Sequence, residues 1–294
     1  MSADRTYPAK LLLFGEYTVL SGSRALAIPL HLWQGRLKTS ASVTDQDLLH
    51  FSNYLDEKKI FSGESCVAFR QVVAGGLYFE SNIPRGYGVG SSGALCAAIY
   101  DRFFADTADD GDISNIRRDL AVMEGYFHGT SSGMDPLVSL MNVPILRELN
   151  SYHLLPGLKW PDGIQLFLLD SGVERTTGHL VQEYLQWTTH DNFNIQCLRP
   201  LVQSVDHAIS FFINAHLPSF WEHLKLISYL QFDYFRPMMT DSIPALWEST
   251  LDEPGIAVKL CGAGGGGYYL GFAQEGLDIM SIIGDKATVI SILR

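Results

Sequence analysis

Pro84-Arg-Gly-Tyr-Gly-Val-Gly-Ser-Ser-Gly93 runs directly into Ala94-Leu-Cys-Ala-Ala-Ile-Tyr100, which has a good helix pattern. Glycines at 86, 88, 90 and 93 let the backbone approach a ligand closely, and Ser91 and Ser92 stand where the helix begins. A helix N-terminus offers unpaired N–H groups and about half a positive charge, so the segment makes a cradle suited to phosphate. A serine oxygen at such a cradle can also ligate Mg²⁺. Gly88, Gly90 and Gly93 match the dinucleotide fingerprint G-x-G-x-x-G, but Pro84 interrupts the run-in that a strand would provide. The chain has no Gly-Lys dipeptide, so the ordinary P-loop is absent. A glycine loop without a ligand is the remaining alternative.

The charge balance bears on how an anion could be held. The 294 residues carry 21 Lys and Arg against 32 Asp and Glu, a formal net charge of −11. Such a chain is a poor partner for nucleic acid or an anionic membrane, and any anion must be held by a local device against the overall field. Apolar residues make up 47% and charged residues 18%, which supplies a sizeable core and excludes wholesale disorder. At ~150 residues per domain the length predicts two domains. Cys66, Cys96, Cys197 and Cys261 form no CxxC pair, which argues against a zinc site or disulfide framework. The first eight residues lack a signal-peptide pattern, and no apolar run approaches the ~18 residues that span a bilayer. A cytoplasmic protein is expected.

Outward from the glycine segment, Lys10–Phe14 predicts a buried strand that turns at Gly15, and Leu26–Leu30 and Gly35–Val43 predict two more. Residues 44–64 read as a polar stretch. Ser114 is placed to cap a helix whose Ile116, Leu120, Met123 and Phe127 form one apolar stripe. The segment 156–163 is the best linker and sets the predicted domains at 1–157 and 158–294. Ile164–Leu169 reads as a strand, and residues 176–247 as mainly helical with an aromatic core. Ala257–Leu260 and Tyr268–Phe272 are strands flanking Gly262-Ala-Gly-Gly-Gly-Gly267. Strands and helices mix without a βαβ rhythm, so the predicted class is α+β.

Two carboxylates draw notice. Glu124 falls on the apolar stripe, where it needs a cation or hydrogen-bond donors; a metal and Arg117 are both candidates. Asp135 precedes Pro136, which is also a helix N-cap signature. Gly129-Thr-Ser-Ser-Gly133 matches the G-x-S-x-G elbow of serine hydrolases, but that elbow needs a preceding strand and the pattern before Ser131 is helical.

Taken together, Pro8-Ala-Lys10-Leu-Leu-Leu-Phe-Gly15-Glu16-Tyr17, the 84–93 segment and Lys259-Leu-Cys-Gly-Ala-Gly-Gly-Gly-Gly267 resemble, in order, the three motifs of the GHMP kinases. Glu124 through Asp135 and Asp170-Ser-Gly-Val-Glu-Arg-Thr-Thr177 are similar to the mevalonate kinase branch of that superfamily. The resemblance implies an N-terminal domain like ribosomal protein S5 domain 2 and a ferredoxin-like C-terminal domain. It implies that Gly86, Tyr87, Gly88, Val89, Gly90, Ser91 and Ser92 wrap the ATP phosphates, with Gly262, Ala263, Gly264 and Gly265 shaping the site. Ser92 and Glu124 would hold Mg²⁺, Asp135 would approach the substrate hydroxyl, and Lys10 would stabilise charge there.

Glu16, Tyr17 and Cys261 would lie by the substrate, although Tyr17 stands where mevalonate kinases usually have His and Cys261 replaces a usual Thr or Ser. Gly93 replaces a usual Ala, and Thr130-Ser131 a usual Asn-Pro. The activity implied is ATP-dependent phosphorylation of a small-molecule alcohol, with mevalonate favoured. A kinase for phosphomevalonate or a sugar, and a non-catalytic binding regulator of the same fold, are the alternatives. Phosphomevalonate kinases generally lack the aspartate, and a phosphorylated acceptor calls for basic residues, for which Arg85, Arg147 and Arg175 are the candidates. The aromatic stretch from Tyr184 to Phe235 is a candidate homodimer face as well as core.

Overall fold

The computed structural model describes residues 5–105, 112–175, 179–284 and 287–293; the end of the 170–177 motif, from 176, lies outside them. The chain forms two compact units. The first takes in the chain up to Leu11, Ala27–Pro84 and Val89–Ile145; the second takes in Leu12–Leu26, Arg85–Gly88 and the chain from Leu146 onward. No described helix is long and apolar enough to cross a membrane.

Strand β1 (Tyr7–Phe14) is buried along almost its whole length, as its unbroken apolar run predicts. Strand β2 (Ala25–Thr39) is continuous and replaces the two strands expected at 26–30 and 35–43. The expected gap at 31–34 is strand as well, and Gly35 lies inside the same strand. The Phe79 ring lies so close that a Cβ at Gly35 would come within 2.2 Å of it. The glycine therefore marks a close approach inside a strand, not a turn. Helices α1 (Gln46–Lys58) and α2 (Gly63–Ala74) occupy most of the stretch that reads as polar. Asp45 caps α1 by accepting from the Leu48 N–H at 3.0 Å. Leu48, Phe51 and Leu55 then bury one narrow stripe, which is all a surface helix needs. Strand β3 (Leu77–Ser81) pairs antiparallel with the outer end of β2, from Gly35 opposite Ser81 to Thr39 opposite Leu77.

Helices α3 (Ser91–Phe103), α4 (Ile113–His128) and α5 (Met134–Met141) complete the first unit. Asp112 caps α4, its carboxylate accepting from the Ser114 N–H at 3.1 Å; the expected cap, Ser114, is inside the first turn. Gly133 occupies the N-cap of α5, so Asp135 is a first-turn residue with a free role instead of the cap itself.

After the short strands β4 (Ile145–Glu148) and β5 (Ser151–Leu154), the second unit is built on β6 (Ile164–Asp170). Helices α6 (Leu180–Trp187), α7 (Asp191–Phe193), α8 (Arg199–Ile213), α9 (Leu217–Tyr234) and α10 (Ile243–Leu251) follow. The chain ends with β7 (Ile256–Leu260), β8 (Tyr268–Gln274), α11 (Ile279–Ile283) and β9 (Thr288–Leu293). The sheet order is β7-β8-β6-β9, antiparallel throughout. This is an α+β arrangement, and of the aromatics in the helical stretch 176–247, Tyr184, Phe212, Phe220, Phe235 and Trp247 are core while the others are partly exposed. Phe14, at the end of β1, meets Phe272, Phe220 and Phe212 at ring distances of 5.6, 6.2 and 6.5 Å, and all four are fully buried.

Phe14→Ala should lower unfolding free energy by about 3–5 kcal/mol in urea denaturation. Leu20→Ala, at a side chain 53% exposed, should change it by less than about 0.5 kcal/mol.

Candidate active site

In the first unit the polar site begins with a lysine inside a buried strand. Lys10 lies mid-β1, and its backbone N–H donates to Val89 O at 2.9 Å, which fastens the glycine turn to the strand. Its Nζ lies 2.8 Å from Asp135 Oδ2; the lysine side chain is 6% exposed and the aspartate 33%. Asp135 is in the first turn of α5, where the helix dipole favours a negative charge. Helix α3 starts at Ser91 with Gly90 at its N-cap and no side-chain cap bond, so the N–H groups at 91–92 lack a capping side chain. Gly93, one residue further, lets α3 and α5 touch backbone to backbone: a Cβ there would lie 2.9 Å from Pro136 N and 3.0 Å from Asp135 C. The glycine that departs from the family's usual alanine thus seats Asp135.

Glu124 is buried on α4. Ser131 Oγ donates to its Oε2, and Ser92 Oγ approaches Oε1 at 3.4 Å and His128 Nε2 at 2.9 Å. Arg117, the alternative partner, instead donates to Ser132 O at 2.9 Å. Burial pushes the Glu124 carboxyl up to about 8, with the Asp135 charge adding to the rise; the two serines and Lys10 pull the other way. A buried carboxylate and a hydroxyl oxygen side by side, both hard donors, fit Mg²⁺. Among the described residues no three His, Cys, Asp or Glu side chains cluster to hold a metal, so the remaining ligands would come from phosphate oxygens and water, as is usual for this ion. Ser131 is preceded by helix α4, not a strand, and its hydroxyl serves Glu124, which removes the hydrolase reading.

In the second unit, the other half of the glycine turn meets the 261–267 loop. Arg175 N–H donates to Gly86 O at 2.9 Å, and Gly267 N–H donates to Val173 O at 2.7 Å. The Arg175 guanidinium lies against both glycine segments: Cβ atoms built at Gly88 and Gly262 would fall 2.4 and 3.1 Å from its Nη1. Its Nε is buried without a hydrogen-bond partner. Tyr87 packs on Tyr268 with ring centroids 4.9 Å apart, and Gly265 N–H donates to Met238 O at 2.8 Å. Gly264 lies against the same Met238 carbonyl.

Of the three residues expected by the substrate, Glu16 is buried and accepts from Lys259 Nζ at 2.5 Å. Tyr17 is buried and donates its phenol to Ala263 O at 2.5 Å, and burial pushes its pKa up, making it a weaker acid. Cys261 is also buried. Arg175 is the residue that sequence reasoning underweighted. It is one arginine among several until the strand-to-helix turn after β6 brings it to the glycines.

Residues 58–142 match the family described as GHMP kinases N terminal domain. Over that stretch, most of it in the first unit, the chain is similar to that family. Its relatives include mevalonate kinases. That of Archaeoglobus fulgidus is 29% identical over 139 residues, 45% of this chain, and the match spans 48% of that relative's length. L. major mevalonate kinase in complex with R-mevalonate has the same fold at TM-score 0.68 and 15% identity, over 100% of this chain and 96% of that one. Streptococcus pneumoniae phosphomevalonate kinase also superposes at 0.68, with 17% identity, over 97% of each chain.

Two outcomes test this geometry. Glu124 is raised from 4.5 to about 8, so the folded protein binds the extra proton between those values. Its contribution to stability is therefore present at low pH and is lost as pH rises toward 8. Urea midpoints of the nucleotide-free protein should fall across that window, and Glu124→Gln should flatten the fall; parallel profiles would place the carboxylate in a hydrated setting. Gly93→Ala gains ~0.5–1 kcal/mol of helix propensity but pushes on Asp135. Thermal stability should move little while turnover drops about tenfold or more.

Proposed function

We propose that the protein transfers the γ-phosphoryl group of ATP to the primary hydroxyl of mevalonate, forming 5-phosphomevalonate in the cytoplasm. Residues 1–157 form the nucleotide-binding domain in this reading and 158–294 the second domain. The observation that carries it is the Lys10–Asp135 pair at 2.8 Å, with the strand bearing Lys10 bonded to the glycine turn at Val89.

Catalysis of this kind is mainly positioning and charge stabilisation. Backbone N–H groups of residues 86–92 and the start of α3 receive the phosphates, which gives an acidic chain its local anion site. Ser92 and Glu124 are the residues that would hold Mg²⁺. When bound, the ion neutralises charge on the phosphate oxygens. Asp135 orients the acceptor hydroxyl and accepts its proton as the bond to phosphorus forms. The Lys10 ammonium holds that carboxylate in place and stabilises charge between hydroxyl and phosphate.

A coupled ADP-release assay over mevalonate, phosphomevalonate and galactose tests the proposal. ADP release dependent on mevalonate is the expected result. ATP binding with no acceptor-dependent release would support a regulator instead, and release with another alcohol alone would reassign the substrate. Asp135→Asn should leave ATP affinity within about twofold while turnover falls ~10²-fold or more. Unchanged turnover would remove Asp135 from the chemistry.

A further inference from the structure

The chain leaves β1 through Gly15-Glu16-Tyr17-Thr18. Thr18 N–H donates to Glu16 O at 2.6 Å, and Tyr17 between them has φ 60° and ψ −49°. This is a γ-turn of the rare, strained kind, centred on a residue that is not glycine. Strain of this sort persists only where the surroundings over-determine it. Here they do so from two sides. The Tyr17 ring packs against Tyr184 and Phe235, with centroids 4.9 and 5.7 Å away. Its hydroxyl donates to Ala263 O at 2.5 Å. The neighbouring Glu16 binds Lys259 Nζ at 2.5 Å, with side chains 1% and 0% exposed, and the same Nζ donates to Leu260 O at 2.7 Å.

Both polar contacts land on one short segment, 259–263, where β7 ends and the glycine loop begins. Gly262-Ala-Gly-Gly-Gly-Gly267 has glycine at every position but one, so its sequence gives it little conformational preference. Its shape has to be imposed from outside. Gly265 and Gly267 hold its later part through backbone bonds to Met238 and Val173. Tyr17 supplies a side-chain hydrogen bond to its early part.

We infer that Tyr17 is a positioning residue, whose phenol, set by the γ-turn and backed by the Glu16–Lys259 pair, fixes the early half of the 262–267 loop. The inference rests on the proposed function only for its consequence, that the loop shapes the nucleotide site.

Tyr17→Phe removes the hydroxyl and keeps the ring packing. In the nucleotide-free full chain, amide hydrogen exchange across 262–267 should speed up about fivefold or more, with β8 and β6 unchanged. KM for ATP should rise about fivefold while kcat changes by less than twofold. Tyr17→Leu, which loses ring and hydroxyl together, should loosen the loop at least as much. Unchanged exchange at 262–267 in Tyr17→Phe overturns the positioning role whatever the activity does. Faster exchange with an unchanged KM for ATP upholds that role and instead removes the loop from the nucleotide site.

Discussion

Lys10 and Asp135 come from distant parts of the chain, and bringing their charges to 2.8 Å constrains nearly every local feature of the first unit. An ammonium in the middle of a buried strand is strongly disfavoured unless a carboxylate and further polar groups meet it. The carboxylate reaches it because α5 begins at Gly133, which puts Asp135 in the first turn, and because Gly93 has no side chain to hold α5 away. A buried ion pair is a weak device for stability, so stability alone does not account for this one. The aspartate keeps one third of its side-chain surface open, which a purely structural partner would not need.

The acidic composition sets the second constraint. With a net charge of −11, a triphosphate can be held only where backbone dipoles outweigh the field, at the start of α3 and along the glycine turn. Glu124 shows the same problem from the other side. It is a carboxylate placed among apolar residues and eased by two hydroxyls, and burial leaves its acidity far weaker than usual. A divalent cation would relieve that penalty.

What could be read from sequence was whatever is local. The unbroken apolar run of β1, the glycine turn before α3 and the position of Glu124 on its stripe all follow from spacing. What could not be read depends on partners elsewhere. The reason for glycine at 35 is hidden until the Phe79 ring is laid over it, and α1 hides because three apolar residues among polar ones are enough to bury it. The roles of Gly93 and Arg175 exist only across elements. Tyr17 is the clearest case, since no local propensity would put an aromatic residue at φ 60°, and only its links to Ala263, Tyr184 and Phe235 explain it.

The central claim is that lysine and aspartate act as one device. Groups that work as a unit lose most of their effect when either is removed, so their losses do not multiply. A double-mutant cycle on single-turnover rates, with Lys10→Met, Asp135→Asn and both together, measures this directly. The account predicts a double variant about as slow as the slower single variant. A double variant slowed by the product of the two separate factors would contradict it.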